Sequence, residues 1–406
     1  MLRDARALGT EKVALESALG RVLGEDVRSE VHLPPWDSSS MDGFAVRATD
    51  VEAASAAHPV ALRVVATVAA GQRSTHRLVR GEAIRIMTGA PVPEGADSVI
   101  RVEDTDGGLH TVLITDGRDA SRNVRPRGED VQPDRTVLAS GTLLGPAQVG
   151  VLSSLGIAMP LVHRRPRVAI LATGDELVEV EHFARVRAGD RIVSSNSYSL
   201  DAAVRVAGGE PVGLGIAPDD PHALAACLRA AEGCDMVVTS GGVSVGDFDY
   251  TRTVVEMLGG TLSLWRVRMR PGAPVGFGTL FGVPWLGLPG NPVSALVTFE
   301  LFGRPLLRTM GGHRRPHRRT IDVVSADDIH LAAPLTHFMR VLLDDASSGP
   351  HVARLTGAQS SGMLTSMGAA DALMIVPGET SQVPAGTRLR AIPLDGDLGG
   401  STRCPA

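Results

Sequence analysis

The chain has 406 residues, 43% of them hydrophobic, and a formal net charge of −5. That length predicts two to four domains with ample cores, and the slight acidity excludes a global attraction to nucleic acid or to an anionic membrane. No run is long and apolar enough to span a bilayer, the start (MLRDAR) has no apolar signal segment, and Cys227, Cys234 and Cys404 form no CxxC, so a cytoplasmic chain without disulfides or zinc is expected.

In chain order, residues 1–30 carry a helical pattern over Val13–Gly20, which Pro34 and Pro35 break. From 43 to 135 the chain is rich in Val, Thr and Gly with short alternating runs such as Leu62–Val68, the signature of a β-rich region. Gly145–Leu155 reads as a helix with Pro146 in its first turn.

Residues 165–311 alternate strand and helix. Arg167–Ala172 is a buried strand, Ser197–Ala207 a helix closed by Gly208-Gly209, and Val212–Ile216 a strand. Asp219 then reads as the N-cap of a helix with Pro221 just inside it, and Asp235–Thr239 is a further strand. This rhythm predicts a parallel sheet covered by helices, with any ligand at the carboxyl ends of its strands. After Arg319 short strands return, with hairpin signals at Asp344–Gly349 and Pro384–Gly386. Arg164-Arg165, Arg314-Arg315 and Arg318-Arg319 flank these junctions and read as solvated linkers.

Three loops of the α/β region fall where a ligand should bind. Thr173–Glu176 supplies carboxylates, and Ser240–Asp249 supplies glycine-rich backbone with two more. Gly287–Ser294 (GLPGNPVS) is a stiff corner between a strand, Val283–Leu286, and a helix, Ala295–Phe302. There Pro289 and Pro292 fix φ, Gly290 permits close approach, and N–H groups at the helix start welcome an anion. Oxygen ligands beside such backbone point to a Mg²⁺-assisted phosphate or oxyanion reaction. Singly, Asp175 or Glu176 serves equally as a cap, and Gly241-Gly242 as a turn.

Seven segments in order resemble the molybdopterin molybdenumtransferase family, the bacterial relatives of the gephyrin E domain. They are Pro35–Val46 (PWDSSSMDGFAV), Arg85–Pro91, Arg127–Asp130, Thr173–Leu177, Gly241–Gly246, Leu288–Ser294 and Gln359–Leu364. The resemblance, which spans residues 10 to 395, implies a multidomain elongated chain of the α/β plus β class. Its parts would be a discontinuous N-terminal domain (1–30 and 142–162), an inserted β-rich domain (43–135), an α/β molybdopterin-binding domain (165–311) and a small C-terminal β-barrel (318–396).

It further implies a homodimer, with an active site between the α/β domain of one subunit and the inserted domain of the other. The implied reaction inserts molybdenum from molybdate into adenylylated molybdopterin, with Mg²⁺ and release of AMP. A molybdopterin adenylyltransferase would hand over that substrate. By motif match Asp42, Glu176 and Asp249 are the catalytic acids, with Glu176 and Asp249 on the metal. Thr88, Asp219, Gly241, Gly242, Ser244 and Arg270 would bind substrate. Pro289, Gly290, Asn291, Pro292 and Ser294 would shape the molybdate or phosphate seat, and Arg340 and Ser361 would reach molybdate from the last domain. Asp130 serves a structural role as readily as a chemical one.

Three departures stand out. Arg270-Pro-Gly-Ala273 replaces the usual Lys-Pro-Gly-Lys, Ser194-Ser-Asn196 an Asp-Ser/Thr-Asn pattern, and Ser38–Ser40 an Asn-Ser-Ala. Arg270 keeps a cation, Ala273 removes one, and Arg266 or Arg268 is the expected substitute. The losses at Ala273 and Ser194 favour the alternative, a dimeric scaffold that recruits an extended peptide of a membrane or cell-division protein. Asp42, Glu176, Asp249 and the Pro289–Ser294 corner favour the enzyme.

Overall fold

The computed structural model describes residues 1–2, 5–242, 250–331, 334–344 and 349–394. The chain divides into two compact units, one of residues 25–140 and 150–158, the other of residues 1–24, 141–149 and 159–406.

The first unit is the expected β-rich region. Its strands β1 (Gly43–Val46), β2 (Val60–Val68), β3 (Glu82–Ile86), β4 (Ser98–Arg101) and β5 (Thr111–Ile114) lie in the order β4-β1-β3-β2-β5. Phe44, Leu62, Ile84, Ile86, Ile100 and Ile114 are its largest fully enclosed side chains. Gly43 is sterically required, since a Cβ there would fall 1.9 Å from the carbonyl oxygen of Ile100 on the adjacent strand.

In the second unit the expected Val13–Gly20 helix is absent, replaced by a single 3-10 turn, Leu15–Ser17. Strand pairing overrides the local pattern there. Thr10–Lys12 is held to Leu161–His163, while Val22 and Leu23 bridge to Leu143 and Val162, leaving too few residues between for a stable helix. Gly20, at φ +75, turns the chain back. The helix α1 (Pro146–Ser154) forms as expected, with Pro146 first.

The α/β region centres on a six-stranded sheet of β6 (Arg167–Thr173), β7 (Glu210–Ala217), β8 (Met236–Ser240), β9 (Thr261–Arg266), β11 (Pro274–Leu280) and β12 (Val283–Leu288). The short β10 (Met269–Arg270) belongs elsewhere. The order is β7-β6-β8-β12-β11-β9. The first four strands are parallel, as predicted; β11 runs antiparallel to both of its neighbours, β12 and β9, so the sheet is mixed. Phe281 and Gly282, both at positive φ, form a two-residue hairpin that registers Leu280 against Val283 and leaves no room for a crossover helix.

Alternate strand residues feed two cores. Val168, Ile170, Val238 and Leu286 pack with Leu200 and Val204 of α2 (Ser195–Val206). Ala169, Leu171, Val237 and Trp285 pack on the other face with Leu224 and Leu228 of α3 (Pro221–Arg229).

The last region is a closed barrel. Strands β13 (Ile321–Ser325), β14 (Thr336–Asp344), β15 (His351–Leu355), β16 (Ala372–Val376) and β17 (Arg388–Pro393) follow the order β14-β15-β13-β17-β16, and β16 returns to pair β14. The hairpin expected at Asp344–Gly349 joins β14 to β15, its tip lying outside the described residues. Strand β10 adds parallel to β14, tying Arg270 to the barrel rather than to the α/β sheet.

Candidate active site

At the carboxyl ends of the parallel strands lies a cavity of about 740 Å³. Thr173 and Gly174 end β6, Ser240–Gly242 follow β8, and Pro289–Pro292 follow β12; Asp219 and Asn196 complete the wall. This is the edge where open α/β sheets take ligands. The glycines are needed: a Cβ on Gly241 would sit 2.6 Å from the Thr173 carbonyl oxygen, and one on Gly242 would sit 2.1 Å from Thr251 Oγ1. Gly290 differs, because a Cβ there meets only Gly241 Cα at 3.7 Å, an ordinary contact. Its expected close approach is not made by the protein itself.

Asn196 locks three of these walls together. Its Nδ2 donates to Ser240 Oγ at 2.7 Å and to the Gly290 carbonyl at 2.8 Å, while its Oδ1 is buried without a partner. The Thr173 and Thr251 hydroxyls are likewise buried, with no partner among the described residues. Both lie within 3.3 Å of the point a Cβ on Gly242 would occupy. The sequence gives no role to either threonine or to the Asn196 brace, although Thr173 opens a matched segment and Asn196 ends the Ser194–Asn196 pattern. Ser194, in place of the family's acid, spends its hydroxyl on Ser197 at 2.7 Å.

Asp219 is not the helix cap. Asp220 is, its Oδ1 accepting the Ala223 N–H at 2.8 Å. Freed from that duty, half-buried Asp219 lines the cavity, and its backbone N–H donates to Asp175 Oδ1 at 3.1 Å. Burial, and then the charges of Asp175 and Glu176, push its carboxyl above the usual range. Glu176 is exposed, its carboxylate curling back over Gly174, where a Cβ would be 2.7 Å from Oε2. Ser244 and Asp249 lie outside the described residues. Among the described residues no three acidic, imidazole or thiol groups close on a point as a metal cage.

A second cavity, about 690 Å³, shares Pro274, Pro289 and Asn291 with the first. Its wall holds Arg270, Ser294, Arg340 and Ser361, together with Gln359 and Ala273. The expected substitutes Arg266 and Arg268 do not line it, and Arg268 instead donates to the Pro334 carbonyl at 3.2 Å.

Arg340 is fully buried. Its Nε donates to Ser366 Oγ at 2.6 Å and its Nη2 to the carbonyls of Ala358 and Ser360, while Nη1 has no partner among the described residues. Burial lowers its affinity for a proton. Asn291 occupies the N-cap of the helix Pro292–Thr298, but its side chain caps nothing. The Val293 N–H, one of the donors expected to receive an anion, is taken by the Ser361 carbonyl at 3.1 Å.

In the other unit the structure brings together Asp42 and Thr88. Asp42 Oδ1 accepts the Thr88 N–H at 2.7 Å and the Thr88 hydroxyl at 2.8 Å. The backbone bond first, then the hydroxyl, holds the Asp42 carboxyl below its usual range. The β1–β3 pairing, Gly43 against Ile86, sets this meeting.

The molecule thus carries a carboxylate-bearing cavity at the strand ends of a mixed α/β sheet and an arginine-lined cavity beside it. Family models match in order: the MoeA N-terminal region (domain I and II) over residues 1–156, a probable molybdopterin binding domain over 169–309, and the MoeA C-terminal region (domain IV) over 322–394. A molybdopterin molybdenumtransferase of Nostoc sp. is 38% identical over 377 residues, 91% of this chain and 86% of the relative. Molybdopterin molybdenumtransferase 2 of Mycobacterium tuberculosis is 38% identical over 396 residues, 96% of each. The crystal structure of a molybdopterin biosynthesis moeA protein from Pyrococcus horikoshii superposes with a TM-score of 0.83 at 30% identity, covering 97% of both chains. The chain belongs to the molybdopterin molybdenumtransferase family, transferases of molybdenum cofactor biosynthesis.

Proposed function

We propose that this protein inserts molybdenum from molybdate into adenylylated molybdopterin and releases AMP, with Mg²⁺ required. One observation carries the reading: a buried guanidinium with no acid partner among the described residues, Arg340, stands in a cavity that shares a wall with a carboxylate-bearing one. Molybdate, as substrate, is matched by Arg270, Arg340 and the Ser361 hydroxyl. The adenylylated substrate is matched by the larger cavity, where Gly241, Gly242, Pro289, Gly290 and Pro292 form a stiff, side-chain-poor floor.

The donors of that cavity fit a hard cation in kind. Asp219 is strained by burial and like charge, Glu176 is free to turn inward, and the Thr173 oxygen lacks a partner. Glu176 and Asp249 would hold Mg²⁺, with Asp219 beside them; bound there, the ion neutralises the pyrophosphate and polarises the bond that releases AMP. Asn196 holds the Pro289–Pro292 corner so that the substrate does not reorder it on binding. In the proposed cytoplasmic homodimer the Asp42–Thr88 pair serves from the second copy, and an adenylyltransferase supplies the substrate.

Purified full-length protein given adenylylated molybdopterin is expected to release AMP only when molybdate and Mg²⁺ are both present. Substrate binding without AMP release under those conditions defeats the proposal. A peptide-recruiting scaffold has no use for Arg340 in its setting, and it would capture its partner equally with and without substrate.

A further inference from the structure

Of the arginines expected to be solvated between the α/β region and the barrel, Arg314, Arg315 and Arg319 are exposed, but the Arg318 side chain is only 18% exposed. Its Nε donates to Glu300 Oε1 at 2.7 Å, and the Glu300 side chain is itself 14% exposed. The same carboxylate lies 3.7 Å from Arg304 Nε, and Arg304 Nη1 donates to the Pro316 carbonyl at 3.3 Å. Two arms thus tie one helix to the segment that leads into β13, the first strand of the barrel.

Glu300 sits where that helix is irregular. A π-turn, Phe299–Gly303, joins the helix Pro292–Thr298 to the helix Arg304–Met310, and the Arg304 N–H donates to the Phe299 carbonyl five residues back. Such turns add a residue to a helix and recur at functional sites. Gly303 is needed for this one, since a Cβ there would fall 2.6 Å from Phe299 Cδ2. Leu301 and Phe302 of the turn pack against the same cluster, Met269, Val293, Val297 and Leu373, as do Phe338 and Met367. The last three of the barrel residues named flank Arg340. Leu373 is its register partner on β16, Phe338 stands two residues before it on β14, and Met367 follows Ser366, which accepts its Nε.

We propose that Glu300 is a positioning residue for oxyanion binding: by holding Arg318 and Arg304 it locks the π-turn to the linker, and so seats the barrel that carries Arg340 and Ser361. The proposal rests on the second cavity being the molybdate seat. Glu300 has no substitute for the task. Burial pushes the Arg304 guanidinium down to about 10 and lowers that of Arg308, and Glu300 is the one carboxylate among the described residues that opposes this. Arg304 and Arg308 each bury an Nε with no partner among the described residues.

The test titrates molybdate alone calorimetrically into the full-length protein, and follows amide exchange at Met269, Arg270 and Thr336, where β10 meets β14. Glu300→Gln is expected to weaken molybdate binding by about tenfold and to speed that exchange by about fivefold or more. Its charge change alone would strengthen the binding of an anion, so a loss reports position. Arg318→Gln should give a similar loss, and Arg318→Lys should keep both values within about twofold of the parent. Should Glu300→Gln fail to fold, as a melting curve would show, Glu300→Asp takes its place, keeping the charge and shortening the reach. Unchanged molybdate affinity in the Glu300 variant, whatever its melting temperature, means an ion pair that only stabilises and overturns this inference alone. Weaker binding without faster exchange also overturns it, because the barrel would then be docked as before. A parent that binds no molybdate overturns the seat reading, and this inference with it.

Discussion

The two cavities are nearly equal in size, about 740 and 690 Å³, so what separates them is chemistry. The first buries Asp219 beside Asp175 and Glu176, so that its carboxyl is pushed upward; the second buries Arg340 with no acid among the described residues of its wall and lowers its hold on a proton. Each is electrostatically unfinished, in opposite directions. A protein that only needed stability would pair these groups with one another, since an uncompensated buried charge costs several kcal/mol (order of magnitude). Keeping them apart across Pro289 and Asn291 leaves one chamber that gains from a cation and one that gains from an anion. A reaction consuming a pyrophosphate and an oxyanion together needs both.

The contrast breaks hardest at Arg340. Arg340→Lys keeps the charge but loses the fork that spans Ser366, Ala358 and Ser360. Molybdate-dependent AMP release should fall by about a hundredfold or more, with the larger part in the KM for molybdate. If the rate holds within about threefold, the cavity is not the molybdate seat.

Next in size is Asn196→Ala, which acts on the partition between the chambers. It strips one donor from the Gly290 carbonyl and one from buried Ser240, the latter at a cost of roughly 1–3 kcal/mol. The melting temperature should drop by a few degrees and kcat by about tenfold to a hundredfold, with little change in molybdate KM. A merely structural asparagine would lower the melting temperature and spare kcat.

How much of this was legible beforehand depended on how local the signal was. The strands β6 and β8, the Pro146 and Pro221 helix starts and the Pro289–Ser294 corner are written in periodicity and turn chemistry, and the structure has them. The Val13–Gly20 helix failed because pairing to Leu161–His163, some 150 residues away, outweighs a weak local preference. The antiparallel β11 was hidden in Phe281-Gly282, where a phenylalanine at positive φ gives no compositional warning. At the site, Asp219 lines the cavity and only its reading as a helix cap fails, since adjacent aspartates look alike until one N–H chooses Asp220. The replacement for the lost lysine was sought at Arg266 and Arg268, whereas β10 leaves the sheet for the barrel and sets Arg270 beside β14. No local pattern encodes that exchange of neighbours.

The smallest expected effect is also the most discriminating for the first chamber. The Asp219 carboxyl is pushed up in the folded chain by burial and by two like charges. The folded state therefore binds its proton more tightly than the unfolded chain does. Its contribution is neutral at acid pH, and turns unfavourable as pH rises from the unfolded value through the raised folded one. At neutral pH Asp219 is a net cost, softened because the side chain is only half buried. Asp219→Asn should consequently raise the melting temperature of the metal-free protein by about 1–2 °C at pH 7.5 and leave it unchanged near pH 3. The same change should weaken Mg²⁺ binding several-fold, measured by the shift in melting temperature as the ion is added. A variant that melts lower than the parent without Mg²⁺ would mean that Asp219 is already satisfied inside the protein, and that the first chamber has no electrostatic vacancy for a cation to fill.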